Sequence, residues 1–120
     1  MPSGASSASE SRAEAVTNDA AAARLEGEGL RATRWGNGPG DRYAAHEHDY
    51  DKVIVVEKGS ITFELTAPAI LTELIEGDRL ELPAGTRHAA VVGSHGVSCL
   101  EAHLPSGSFS APRRIRAGEW

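Results

Sequence analysis

From Leu30 to Leu104 no stretch has room for a long helix, because turn-forming residues recur about every 8–12 positions. The segments between these breaks read as short strands. They are Leu30–Trp35, Arg42–His48, Val53–Val56, Ile61–Thr66, Ile70–Ile75, Arg79–Leu82, Arg87–Val92 and Val97–Leu104. Gly36-Asn37-Gly38-Pro39-Gly40-Asp41 is a strong breaker, Lys58-Gly59-Ser60 reads as a tight hairpin turn, and Gly93–Gly96 as another turn. Many short strands at this spacing make an all-β sandwich, jelly roll or small barrel.

Side-chain alternation supports the strands. Ile61, Phe63 and Leu65 alternate with Thr62, Glu64 and Thr66, as in a half-buried strand. Val53–Val56 is apolar on both faces, as in a strand covered on both sides. Only 5% of the residues are aromatic, so the core rests on aliphatics. The expected core is Ile54, Val56, Phe63, Leu65, Leu80, Leu82, Val91 and Val92. With 120 residues there is chain for one such core. Residues 1–15 are rich in Ser, Ala, Gly and Glu and are expected to be disordered. Residues 16–29 form a short helical lead-in, with Val16, Ala20, Ala22 and Ala23 as weak apolar positions and Gly27 and Gly29 to end it. The barrel occupies 30–104, and 105–120 is a polar tail lying over it.

The net charge of -5 argues against nucleic acid as a partner, since neutralising phosphates requires a basic face. Arg113, Arg114 and Arg116 read as a solvated cluster in the tail. Cys99 stands alone, so no intrachain disulfide is possible, and it reads as buried packing. No apolar run approaches a membrane span, and the first residues lack the apolar stretch of a secretory leader. The expectation is a soluble cytoplasmic protein with no membrane partner. No phosphate-binding glycine loop, CxxC pair or nucleophile elbow is present.

Among five histidines, His46 and His48 stand two apart in an extended segment, so their rings share a face and can reach one ion. Alone this is a weak signal. Its surroundings sharpen it: Gly40, five residues, His46, one residue, His48, then Gly59; and later Gly77, five residues, Pro83, one residue, Gly85, two residues, His88. This pattern resembles the two cupin motifs, and eight of their ten fixed positions match: Gly40, His46, His48, Gly59, Gly77, Pro83, Gly85 and His88. The resemblance spans roughly 30–104 and implies a cupin-type double-stranded β-helix, a jelly-roll barrel with one metal at its mouth. Two positions depart. The motif's glutamate ligand falls on Lys52 and its final asparagine on Val92. The resemblance therefore carries over three ligands, His46, His48 and His88. Asp49 or Asp51 replaces the glutamate only if the strand register slips by one.

Three neutral imidazoles suit a divalent transition metal, whether Fe, Zn, Ni, Mn or Cu, and leave an open position for an anion. Lys52 and Tyr50 are the candidate catalytic residues. Lys52 facing inward would hold an anionic substrate or act as a base; its structural alternative is an ion pair with Glu101 or Glu64. Tyr50 would offer its hydroxyl at the mouth or simply shield the barrel end. His95 lies in a turn and is expected in solvent. Glu101 and His103 are expected to face outward or into a subunit contact, with a supporting role behind the ligands as the lesser reading, and Leu100, Ala102 and Leu104 to turn inward. The functional expectation is a small metal-binding cupin that takes a small organic anion, with dioxygenase chemistry as the first reaction class. The alternatives are a non-catalytic sensor and a cupin-type isomerase or lyase. The resemblance also implies a homodimer.

Overall fold

The computed structural model describes residues 12–66 and 69–120. The disorder expected for residues 1–11 lies outside them. Helix α1 (Arg12–Gly27) is followed by strands β1 (Thr33–Asn37), β2 (Arg42–His46), β3 (Asp51–Thr66), β4 (Ala69–Ile75), β5 (Arg79–Leu82), β6 (His88–Leu104) and β7 (Arg113–Ile115). The helix thus begins within the segment assigned to the tail.

Two long strands build the fold. β3 has 16 residues and β6 has 17, and they pair antiparallel from Asp51↔Leu104 to Leu65↔His88. Each then carries a different neighbour on each half. β6 takes β2 beside its first half and β1 beside its second; β3 takes β5 and then β4. All these pairings are antiparallel.

The sequence suggested turns where these strands only bend. Lys58-Gly59-Ser60 is no hairpin turn but a bulged passage inside β3, with register shifts at Val56/Lys58 and Gly59/Ile61. Opposite it, Gly93–Gly96 is a bend inside β6. Gly59 has φ +81°, and a Cβ there would stand 2.0 Å from the Gly96 carbonyl oxygen. Only glycine permits so close a crossing at that φ. The double bend curls the ribbon around Ile54, Val56, Ile61, Phe63, Leu65, Leu74, Leu80, Leu82, Ala90, Val92, Val97 and Cys99. Seven of the eight expected core residues lie buried here; Val91 is only half-buried.

The two-sided cover expected of Val53–Val56 is present. Ile54 and Val56 point into the barrel, while Val53 and Val55 join Leu100 beneath Leu25 of α1. Ala21 and Ala22 flank that contact, whereas Ala20 and Ala23 are exposed. At the helix end Gly29 has φ +82°, and Leu30 N–H donates to Leu25 O at 3.0 Å. With Gly29 N–H donating to Glu26 O, this is a Schellman cap, and Leu30 packs on the same cluster as Leu25.

The segment 105–120 is more than a tail. Its β7 pairs with β5, and Trp120 Nε1–H donates to Gly77 O at 3.0 Å. Asp51, fully enclosed, accepts from the amides of Ala84 and Phe109, both at 2.7 Å. Arg113 and Arg114 are exposed on β7, as the charge pattern suggested.

Candidate metal centre

His46 closes β2 directly opposite His88, the first residue of β6. His48 follows two residues on, and its carbonyl accepts from Gly85 N–H at 2.8 Å. That bond ties the His48 segment to the Pro83–Gly85 turn that delivers His88. The two halves of the sequence pattern meet here: the ligand nitrogens of His46, His48 and His88 lie within 4.8 Å of one another.

The protonation pattern of the rings is set by their backbone partners. His46 Nδ1 and His88 Nδ1 each lie 2.8 Å from a carbonyl, of Ala44 and Thr86 respectively. Each Nδ1–H donates, so each Nε2 keeps its lone pair. His88 is 3% exposed, and its buried Nε2 has no partner. Burial lowers the His88 pKa to about 4, outweighing the Thr86 hydrogen bond that would raise it. Burial, with Lys52 beside it, also lowers the pKa of His48.

A cavity of about 280 Å³ opens over these rings, with Trp35, Tyr43, Phe63, Lys52 and Glu101 among its walls. Lys52 does face inward. Its Nζ stands 3.3 Å from His48 Nε2 and 3.5 Å from Glu101 Oε1. The ion pair with Glu101 and a place in the site are therefore not alternatives, since both partners line the cavity. Glu64 is exposed on β3 and takes no part.

Three comparisons bear on this geometry. No protein-family model matches the chain, and no curated protein matches it. Among solved structures, oxalate decarboxylase from Bacillus subtilis is similar. One such structure, from work on its Mn(II) centres, shares 23% identity at a TM-score of 0.58, over 68% of this chain and 22% of that one. Another, at pH 4.6, shares 21% over 72% of this chain and 24% of that one, again at 0.58. The fold is the cupin barrel. The chain spans less than a quarter of the length of these neighbours.

Asp51 cannot replace the glutamate: both its oxygens are committed to backbone amides, and Asp49 is exposed. Burial alone would raise the Asp51 pKa, but amides of Ala84 and 107–109 hold it below the usual carboxylate range. Tyr50 is stacked between His48 (4.9 Å) and His103 (4.1 Å) and is not among the cavity walls, so it packs at the rim. His95 is exposed, as expected. Cys99 is buried, and burial pushes its thiol up to about 12, which leaves it inert.

Glu101 is the main correction. Instead of facing outward or a subunit contact, it lines the cavity, which is the lesser of the sequence readings. It accepts from Trp35 Nε1–H at 3.1 Å and bonds His103 Nε2 at 2.8 Å. Burial would raise its pKa, but the His103 bond and the Lys52 charge hold it low. Leu100 was assigned to the interior because it is apolar; it lies instead beneath α1. The two-sided cover of Val53–Val56 was the available clue. Where both faces of a sheet are buried, hydrophobicity does not say which face is the interior.

Proposed function

We propose that this chain is a metal-binding cupin in which His46, His48 and His88 hold one divalent transition metal and the cavity above them takes a small organic anion. The buried, unpartnered Nε2 of His88, aimed at two further imidazoles, is the observation that carries this reading. Metal–nitrogen bonds of about 2.1 Å span at most about 4.2 Å between ligands, so small side-chain rotations bring the three nitrogens onto one ion. When bound, the metal would supply a Lewis-acid centre with open positions for an anion. Lys52 would add a second positive contact, Trp35 and Tyr43 an apolar wall, and Phe63 a floor beside His88. The cavity lies at the small end of ligand pockets, which favours an acid of few atoms. The similarity to a decarboxylase of oxalate supports a carboxylate as that anion.

Two reaction classes are in contention. Dioxygenase chemistry on a chelating substrate is supported by the resemblance of the three-histidine set to that of cupin dioxygenases acting on thiols or β-diketones. A lyase acting on a small carboxylate is favoured by the structural neighbours. Oxygen uptake by the iron-loaded chain with small diketones or thiols supports the first; carbon dioxide release without oxygen uptake supports the second. Metal analysis of untagged protein tests the common ground. About one equivalent of metal is expected in the unaltered chain and loss of it in His88→Ala. Metal-free protein, or unchanged content in the variant, would end the reading.

The proposed homodimer has β4 in its favour. Among the described residues this strand pairs only with β3, and it exposes Ile70, Leu71 and Ile75. Sedimentation is expected to show a dimer that Leu71→Glu dissociates; a monomer at all concentrations removes that proposal. A cytoplasmic location stays within the proposal; no helix among the described residues is long and apolar enough to cross a membrane.

A further inference from the structure

We infer that Lys52 competes with the metal for His48 Nε2, and that Glu101 is the positioning residue that draws the ammonium out of the way. The inference rests on the three-histidine reading. The lysine nitrogen sits between two acceptors at nearly equal distance, 3.3 Å from His48 Nε2 and 3.5 Å from Glu101 Oε1. His48 Nε2 has one in-plane lone pair, and it cannot serve a donated N–H and a metal bond together. An ammonium left beside the ring would also face the incoming dication as a like charge. Entry of the ion therefore requires Lys52 to leave His48, and the second acceptor already stands within reach.

Glu101 is built to stay in place while Lys52 moves. Trp35 Nε1–H donates to one carboxylate oxygen at 3.1 Å, and His103 holds the other at 2.8 Å. Both partners come from outside the triad, one on β1 and one farther along β6. The lysine stem, by contrast, has four rotatable bonds. The Lys52 and Glu101 side chains are 9% and 16% exposed, so water offers the ammonium little alternative to these two acceptors. Metal-free and metal-loaded states thus differ in which acceptor Lys52 takes. With a metal bound, the lysine held on Glu101 would remain in the cavity wall as a contact for the anion.

The test is a calorimetric titration of the chelator-stripped full chain with Zn2+. Lys52→Met is expected to tighten binding by about tenfold, and Glu101→Gln to weaken it several-fold, the scale on which groups supporting metal ligands act. The double variant should match Lys52→Met, because Glu101 acts only through the lysine. Thermal melts check that each variant is folded, and Lys52→Gln stands in if the methionine variant is not. Unchanged or weaker binding by Lys52→Met overturns the inference. So does a Glu101→Gln loss that persists in the Lys52→Met background, which would make the carboxylate a direct or merely structural contributor. Zinc binding by the unaltered chain that His88→Ala abolishes, but that Lys52→Met leaves unmoved, sinks this inference and spares the triad. Failure of the unaltered chain and of Lys52→Met alike to bind zinc sinks both.

Discussion

His88 is held neutral by its surroundings, and that has a pH signature. Its folded pKa of about 4 lies below the 6.5 of an open imidazole, so between those values the unfolded chain binds the extra proton. The contribution to stability is complete above pH 6.5 and is lost as pH falls toward 4. Its full size is on the order of 3 kcal/mol, at about 1.4 kcal/mol for each tenfold change in proton affinity. Urea unfolding in the presence of a chelator is expected to show this loss between pH 7 and 4.5, and His88→Gln to flatten it. Asp51 acts in a different window. Its pKa is depressed, so its contribution persists above the ordinary value of 3.8 and is lost only as pH falls below it. Asp51→Ala is expected to lower the melting midpoint and to speed amide exchange at Ala84 and Phe109, whose N–H groups lose their acceptor. At this scale the three histidines were legible through the resemblance of their glycine and proline surroundings to the cupin motifs, and the structure brings their ligand nitrogens together. Glu101 was not, because no local pattern distinguishes the two buried faces of its strand.

The elements around the barrel are fastened at a few points. Arg79, 5% exposed, makes a two-pronged contact with Glu28 after the end of α1, at 2.7 and 3.0 Å, and a third contact with Glu81. Its guanidinium also lies 5.1 Å from the Trp120 ring centroid, so helix, barrel and C-terminal segment meet at one cation. Arg79→Met is expected to destabilise by about 1–3 kcal/mol, since Glu81 is left buried without its partner while the half-exposed Glu28 turns to water. Leu25→Ala removes the only fully buried helix side chain among the described residues, and a loss of about 2–5 kcal/mol by urea titration is expected. Gly59→Ala must both strain a positive φ and displace the Gly96 carbonyl. A loss well above 1 kcal/mol is expected, with amide exchange speeding on both sides of the bend. Strand positions were readable from alternation and turn residues, but strand lengths were not. Lys58-Gly59-Ser60 has the composition of a hairpin turn, and only the pairing partner across from it shows that the chain continues. Likewise β7 carries too few apolar residues to be seen without β5 beside it.

Across the whole molecule, the cavity and its supports hang on one ladder. Lys52 lies opposite His103, Ile54 opposite Glu101, and Leu65 opposite His88, all between the same two strands. Helix α1 and the C-terminal segment cover the outer face of that ladder and are not among the cavity walls. The fold class was therefore accessible from the sequence: strand spacing indicated an all-β sandwich or barrel, and the resemblance of the glycine, proline and histidine pattern to the cupin motifs narrowed it to the cupin barrel. The way the chain closes on itself was not, because it depends on contacts between residues some fifty positions apart. The shared ladder also restricts how the pocket can be altered. Away from the bulged passage at Lys58-Gly59-Ser60 and the facing bend, inserting or deleting a single residue in either long strand would turn the side chains beyond it to the opposite face and empty the cavity of its lining. New ligand preferences in such a scaffold must arise by exchanging one side chain for another, with growth of the chain confined to its rims.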